Sequence, residues 1–253
     1  MQNESIDYGV SFSENNARNM TSREKPPFME SKTGILLQIL VVLLPSVFAF
    51  NNVFLLAGLV FSTLLAWGML RLQGKTWSNV GFHKPENVRR LALTTLIATA
   101  VLIPLSFAAK HVAIAVTGTT PNLAAFQTIR GNIPALAAGL VIAWLFGAFL
   151  EELLLRGFLQ NSLEIILLKE GCPRWVTCAC TVLLTSACTG IGHDYQGVTG
   201  MLVAGFIAVG FSMIYLLNRR NLWSCILAHG LYDTVAFAIV FSGINLDQIV
   251  FHT

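Results

Sequence analysis

From Gly34 onward the chain alternates between long apolar stretches and short polar ones. Runs of about 18 or more apolar residues are long enough to cross a bilayer as helices. Read by length and flanking charge, seven such stretches stand out, at 34–50, 53–70, 91–116, 133–155, 175–193, 198–217 and 222–241. The pattern predicts an all-α bundle of about seven to eight spans. Pro104 and Lys110 fall inside the third, which predicts a kink or an early end there. Residues 1–32 are polar and read as a disordered N-terminal tail. Residues 33–130 read as N-terminal transmembrane helices, 131–243 as a core and 244–253 as a C-terminal tail. No basic stub followed by a short apolar core opens the chain, so no cleavable signal peptide is expected.

Two spans carry stripes of small residues. Ala135, Gly139, Ala143 and Gly147 recur every four positions, and the next step is Glu151; Gly200, Ala204, Ala208 and Ser212 repeat the pattern. Lipid supplies no hydrophobic force between helices, so such stripes mark faces where neighbours approach closely. Glu151 therefore continues a face that points into the bundle.

Composition changes the picture in one respect. Hydrophobic residues make up 55% of the 253 and charged ones only 11%, against roughly 25% charged in soluble domains. A soluble enzyme is excluded. The net charge of +3 gives no reason to expect nucleic acid, and none is expected as a partner. Lys and Arg gather in the 71–90 loop, at Lys169 and Arg174, and at Arg219 and Arg220, while the connectors at Asn51–Asn52 and 194–197 have none. By the positive-inside rule the N-terminus and the 71–90 loop are expected on the cytoplasmic side of a multi-pass protein of a bacterial plasma membrane. Cys172, Cys178, Cys180, Cys188 and Cys225 lie mostly in apolar segments and read as small core residues.

The chemistry starts from "AFLEELLLRGF", residues 148–158. An ionised carboxylate in hydrocarbon costs several kcal/mol and is a functional-site signal unless paired. Glu152 and Arg156 are four apart with the acid first, the favourable order for an intrahelical pair. Glu151, five from Arg156, is left without that partner and suits general-base work on water. His193 ends the fifth span, and His229 and Asp233 share one face of the seventh. Six ionisable groups on three spans point to a shared wet pocket rather than to core packing.

These residues also carry a resemblance. "EELLLR" is similar to the EExxxR motif of the CPBP family, the CAAX-processing and bacteriocin-processing intramembrane proteases. "HGLYD" is similar to that family's HxxxN/D motif, and His193 meets the histidine of its FxxxH motif, with Thr189 in place of the aromatic. The likeness runs from about Ala135 to Phe241. It implies an intramembrane endopeptidase acting on a membrane-associated peptide or protein, with membrane lipid as its surroundings. It also implies roles: Glu151 activating water with help from His193, His229 and Asp233 stabilising the oxyanion, and Glu152 with Arg156 supporting the site. His193, His229 and Glu151 could hold Zn2+, although no HExxH is present; the same residues serve a metal-free reaction. Two other readings stand beside this one. One is a non-catalytic immunity or scaffold protein of the same fold, and the other is a proton-coupled transporter.

Overall fold

Asparagine and glycine punctuate the helices. In the computed structural model, which describes residues 28–47 and 52–244, the Asn87 side chain accepts from the Arg90 amide to open a helix at Val88. The Asn132 and Asn221 side chains do the same for Ala135 and Trp223. Gly118 and Gly243 close two of these helices in the left-handed conformation, at φ 69° and 67°, where a side chain would be strained. The resulting helices are α1 (Lys32–Val47), α2 (Asn52–Leu72), α3 (Val88–Thr117), α4 (Ile133–Lys169), α5 (Arg174–Gly192), α6 (Gly197–Leu217) and α7 (Leu222–Ser242). Among the described residues, six of them, α2 to α7, are long and apolar enough to cross a membrane, and α1 is a shorter apolar helix. The chain is a polytopic helical membrane protein.

Of the expected tail, residues 1–27 lie outside the described residues, as do 245–253 at the other end. Phe28–Glu30 form a 3-10 turn, and Lys32 already opens α1. Pro104 does not end α3, which continues through Lys110 to Thr117.

The largest departure from the hydropathy pattern is α4. The expected span stopped near 155, yet one 37-residue helix runs from Ile133 to Lys169. Its polar second half is accommodated rather than exposed. Asn161 Nδ2 donates to Gly157 O at 2.7 Å and to Tyr215 Oη at 2.8 Å, and Glu164 pairs with Arg220. Ala143–Glu151 and Leu153–Gln160 are π-helical, an i→i+5 geometry that clusters at functional sites.

The stripes lie where helices meet. A Cβ on Gly139 would come within 2.9 Å of the Phe237 ring, and one on Gly230 within 2.5 Å of the Trp144 ring, so α4 and α7 touch almost backbone to side chain. Trp144 Nε1 donates to Thr234 Oγ1 across the same seam, at 3.0 Å. Ala208 and Ser212 of the second stripe are buried. Leu96, Ile97, Val141, Leu183 and Leu184 point outward, as lipid-facing positions should.

Two ends of the bundle can be told apart. At one, Lys32 pairs with Glu170 and Lys169 bonds the Glu30 carbonyl. At the same end Gln73 bonds Gln38 at 2.5 Å and the Leu222 amide donates to Gly81 O at 2.9 Å. At the other end, the 118–132 segment is tied to the α5–α6 turn by Asn122 N–H to Gln196 O at 2.8 Å, and to α7 by Gly131 N–H to Phe241 O at 3.0 Å.

Candidate active site

Glu152 is the hub. It is fully buried, as is Arg156 one turn later on α4. Arg156 Nη1 lies 3.2 Å from Glu152 Oε1, close enough for an ion pair but not aligned as a hydrogen bond. Arg156 Nη2 instead donates to the Ala208 carbonyl of α6 at 2.9 Å. Glu152 Oε1 also accepts from His229 Nδ1 of α7 at 2.8 Å. One carboxylate thus joins an arginine on its own helix to an imidazole on another.

Phe211 of α6 completes the frame. Its ring stacks on His229 with centroids 4.5 Å apart and planes 16° from parallel, while the Arg156 guanidinium lies over it at 5.9 Å. His229 is therefore held by Glu152 at Nδ1 and by Phe211 at its face. Its Nε2 faces Asp233 Oδ2 at 3.5 Å. Gly147 of α4 backs this pair: a Cβ there would sit 3.3 Å from Asp233 Oδ2 and 3.7 Å from His229 Nε2.

Glu151 takes no part in that network. Its Oε1 is buried without a hydrogen-bond partner, which is costly unless a polar ligand or water meets it. It is near enough to act electrostatically on His229, Asp233 and Tyr195.

His193 sits just past the end of α5. Its Nδ1 is 2.8 Å from the carbonyl oxygen of Thr189, so Nδ1–H donates and Nε2 is left as an acceptor. The bond uses the Thr189 backbone, and the Thr189 hydroxyl donates to Thr185 O at 3.2 Å. Tyr195 stacks beside His193 with centroids at 5.7 Å, an aromatic neighbour that spacing around Thr189 does not reveal. His193, His229 and Asp233 all line one cavity of about 550 Å³, well within the range of ligand pockets. Its walls are largely apolar, with Ile103, Phe107, Phe126 and Phe237 among them.

The structure thus gathers His193, His229 and Asp233 at one cavity and sets Glu151 close by. Glu152 with Arg156 forms the support behind them. Among the described residues no three His, Cys, Asp or Glu side chains are gathered tightly enough to hold a metal. The set His193, His229 and Glu151 does not fit a zinc site in this arrangement. Sequence reasoning missed the Glu152–His229 bond, because 77 residues separate them. It missed Phe211 because a lone aromatic in an apolar helix carries no signal. The five cysteines are free, and Cys225 is buried against the hub.

The fold and site define a membrane protein with a buried acid–imidazole centre. Residues 133–235 match the family described as Type II CAAX prenyl endopeptidase Rce1-like. That stretch is similar to this family, in line with the motifs the sequence shares with it, and it runs from the start of α4 past Asp233, so Glu151, Glu152, Arg156, His193, His229 and Asp233 all fall inside it. No curated protein and no solved structure matches the chain.

Proposed function

We propose that the protein is an intramembrane endopeptidase in which Glu151 activates water against a peptide bond of a membrane-associated substrate. The observation that carries this reading is the pairing pattern of the two adjacent glutamates. Glu152 is engaged by Arg156 and His229, whereas Glu151 Oε1 is buried with no partner. A carboxylate with one oxygen buried and unpartnered, beside a cavity that His193, His229 and Asp233 line, is the general base such a reaction needs.

The remaining groups divide the work. His193, with Nδ1–H given to Thr189 O, offers Nε2 as an acceptor for a water proton. His229 gives Nδ1–H to Glu152, so a further proton on Nε2 makes it an imidazolium, flanked by Glu152 and Asp233. That form can donate to the oxyanion as water adds to the carbonyl. Glu151 takes a proton from the attacking water and returns it to the leaving amine, which leaves carboxylic acid and amine as products. No acyl-enzyme is needed.

The test is cleavage of a defined membrane peptide by purified protein in lipid vesicles. Glu151→Gln should abolish turnover while leaving the melting temperature unchanged, and chelator should not slow the wild type. Retained turnover in Glu151→Gln refutes the assignment of the base. Loss with chelator, restored by Zn2+, would assign water activation to a metal. No cleavage by the wild type under any condition would favour the non-catalytic scaffold reading, for which Thr189 in place of the family's aromatic speaks.

A further inference from the structure

The catalytic cavity and the basic residues lie at opposite ends of the bundle. Lys32, Arg71, Lys75, Lys84, Arg89, Arg90, Lys169, Arg174, Arg219 and Arg220 all sit in or beside the segments that meet at one end. These are the start of α1, the α2–α3 loop, the α4–α5 turn and the α6–α7 turn. Cross-bonds tie them into one surface. Arg219 pairs with Glu86 at 2.6 Å, Asn221 Nδ2 donates to His83 O at 3.0 Å, and Arg220 pairs with Glu164. Toward the other end the described residues have only Lys110 and Arg130. Lys and Arg bias in short loops sets membrane orientation, and ten against two is a strong bias.

The cavity is lined at its mouth by Pro121, Leu123, Gln127, Arg130, Gly243 and Ile244. All six belong to the poorly charged end, and Leu123, Gln127 and Arg130 are exposed. No residue of the basic loops lines it. From there it descends along α7 to His229, fourteen positions before Gly243, or about 21 Å at the helical rise.

We infer that this cavity opens on the side of the membrane opposite the cytoplasm, and that its substrate is an apolar peptide segment presented from the extracytoplasmic side. The inference rests on the protease reading for its substrate but not for its geometry. It excludes tails that stay in the cytoplasm, because the basic face offers them no path to His229. An apolar segment suits the Ile103, Phe107, Phe126 and Phe237 walls, beside which Lys110 and Arg130 also line the cavity.

Two measurements separate the parts. In intact cells, a membrane-impermeant maleimide should label Gln127→Cys and Ala125→Cys at the mouth. It should reach Lys84→Cys and Arg89→Cys only after permeabilisation, the unsubstituted protein serving as blank for its own cysteines. Labelling of either basic-face variant in intact cells, or of the mouth variants only after permeabilisation, overturns the inference. Separately, an apolar membrane peptide added outside sealed right-side-out vesicles should be cleaved, and the same peptide outside inside-out vesicles should not. Cleavage only in inside-out vesicles overturns it as well. Outward labelling with no cleavage in either orientation refutes the protease reading and leaves the orientation standing.

Discussion

Two neighbouring glutamates of identical chemistry are given opposite surroundings, and substitution should separate them. Glu152→Gln leaves the fully buried Arg156 without its counter-charge. Breaking a buried pair in this way costs about 3–5 kcal/mol, so the melting temperature should fall steeply. Glu151→Gln changes a carboxylate whose Oε1 has no hydrogen-bond partner, and its stability should be unchanged or higher while turnover is lost. If both variants melt alike, the division of roles is wrong. Thr189 is a second residue-scale case. Because His193 is held by the Thr189 carbonyl, Thr189→Val should keep His193 in place and preserve turnover within a few-fold. A loss as large as that of His193→Ala would show that the hydroxyl matters.

The pair of helices α4 and α7 forms the working element. Gly147 leaves room for His229 and Asp233, and a Cβ there would already be 3.3 Å from Asp233 Oδ2. Gly147→Leu should therefore displace Asp233 and abolish cleavage, whereas Gly147→Ala should retain part of it; equal activity of the two would mean that Asp233 is not packed against this position. The stripe of small residues leading to Glu151 made this interface legible in the sequence, as did the spacing of Glu152 with Arg156 and of His229 with Asp233. What the sequence concealed was anything decided by tertiary contact. Hydropathy ended the fourth span near 155 because Gln160, Asn161 and Glu164 look solvated. Tertiary partners on α6 and the α6–α7 turn satisfy Asn161 and Glu164. The Glu152–His229 bond and the Phe211 stack likewise depend on which helices become neighbours, and periodicity within one helix carries no record of that.

At the scale of the whole molecule, the all-α membrane architecture followed from composition and run length alone. The basic end is more than a topological signal, because it also clamps the helices. Arg220 meets Glu164 through both terminal guanidinium nitrogens; burial pulls the Arg220 pKa down, but the Glu164 carboxylate outweighs it and leaves the pKa above its ordinary value. Both side chains are only partly exposed, so removing one partner strands a partly desolvated charge. Arg220→Ala should lower the melting temperature by a few degrees, and Arg220→Lys should not fully restore it, since lysine lacks the planar fork. Full recovery with lysine would show that charge alone is needed.

The length of α4 has one more consequence. Its 37 residues extend at most about 55 Å at the α-helical rise, somewhat less with its π-helical stretches, which is still well beyond a hydrocarbon slab of about 30 Å, and Glu151 is its middle residue. Such a rod answers to hydrophobic mismatch by leaning, at a modest cost per ångström. Acyl-chain length in reconstituted vesicles should then act as a dial on turnover, setting the angle at which the carboxylate meets its histidines.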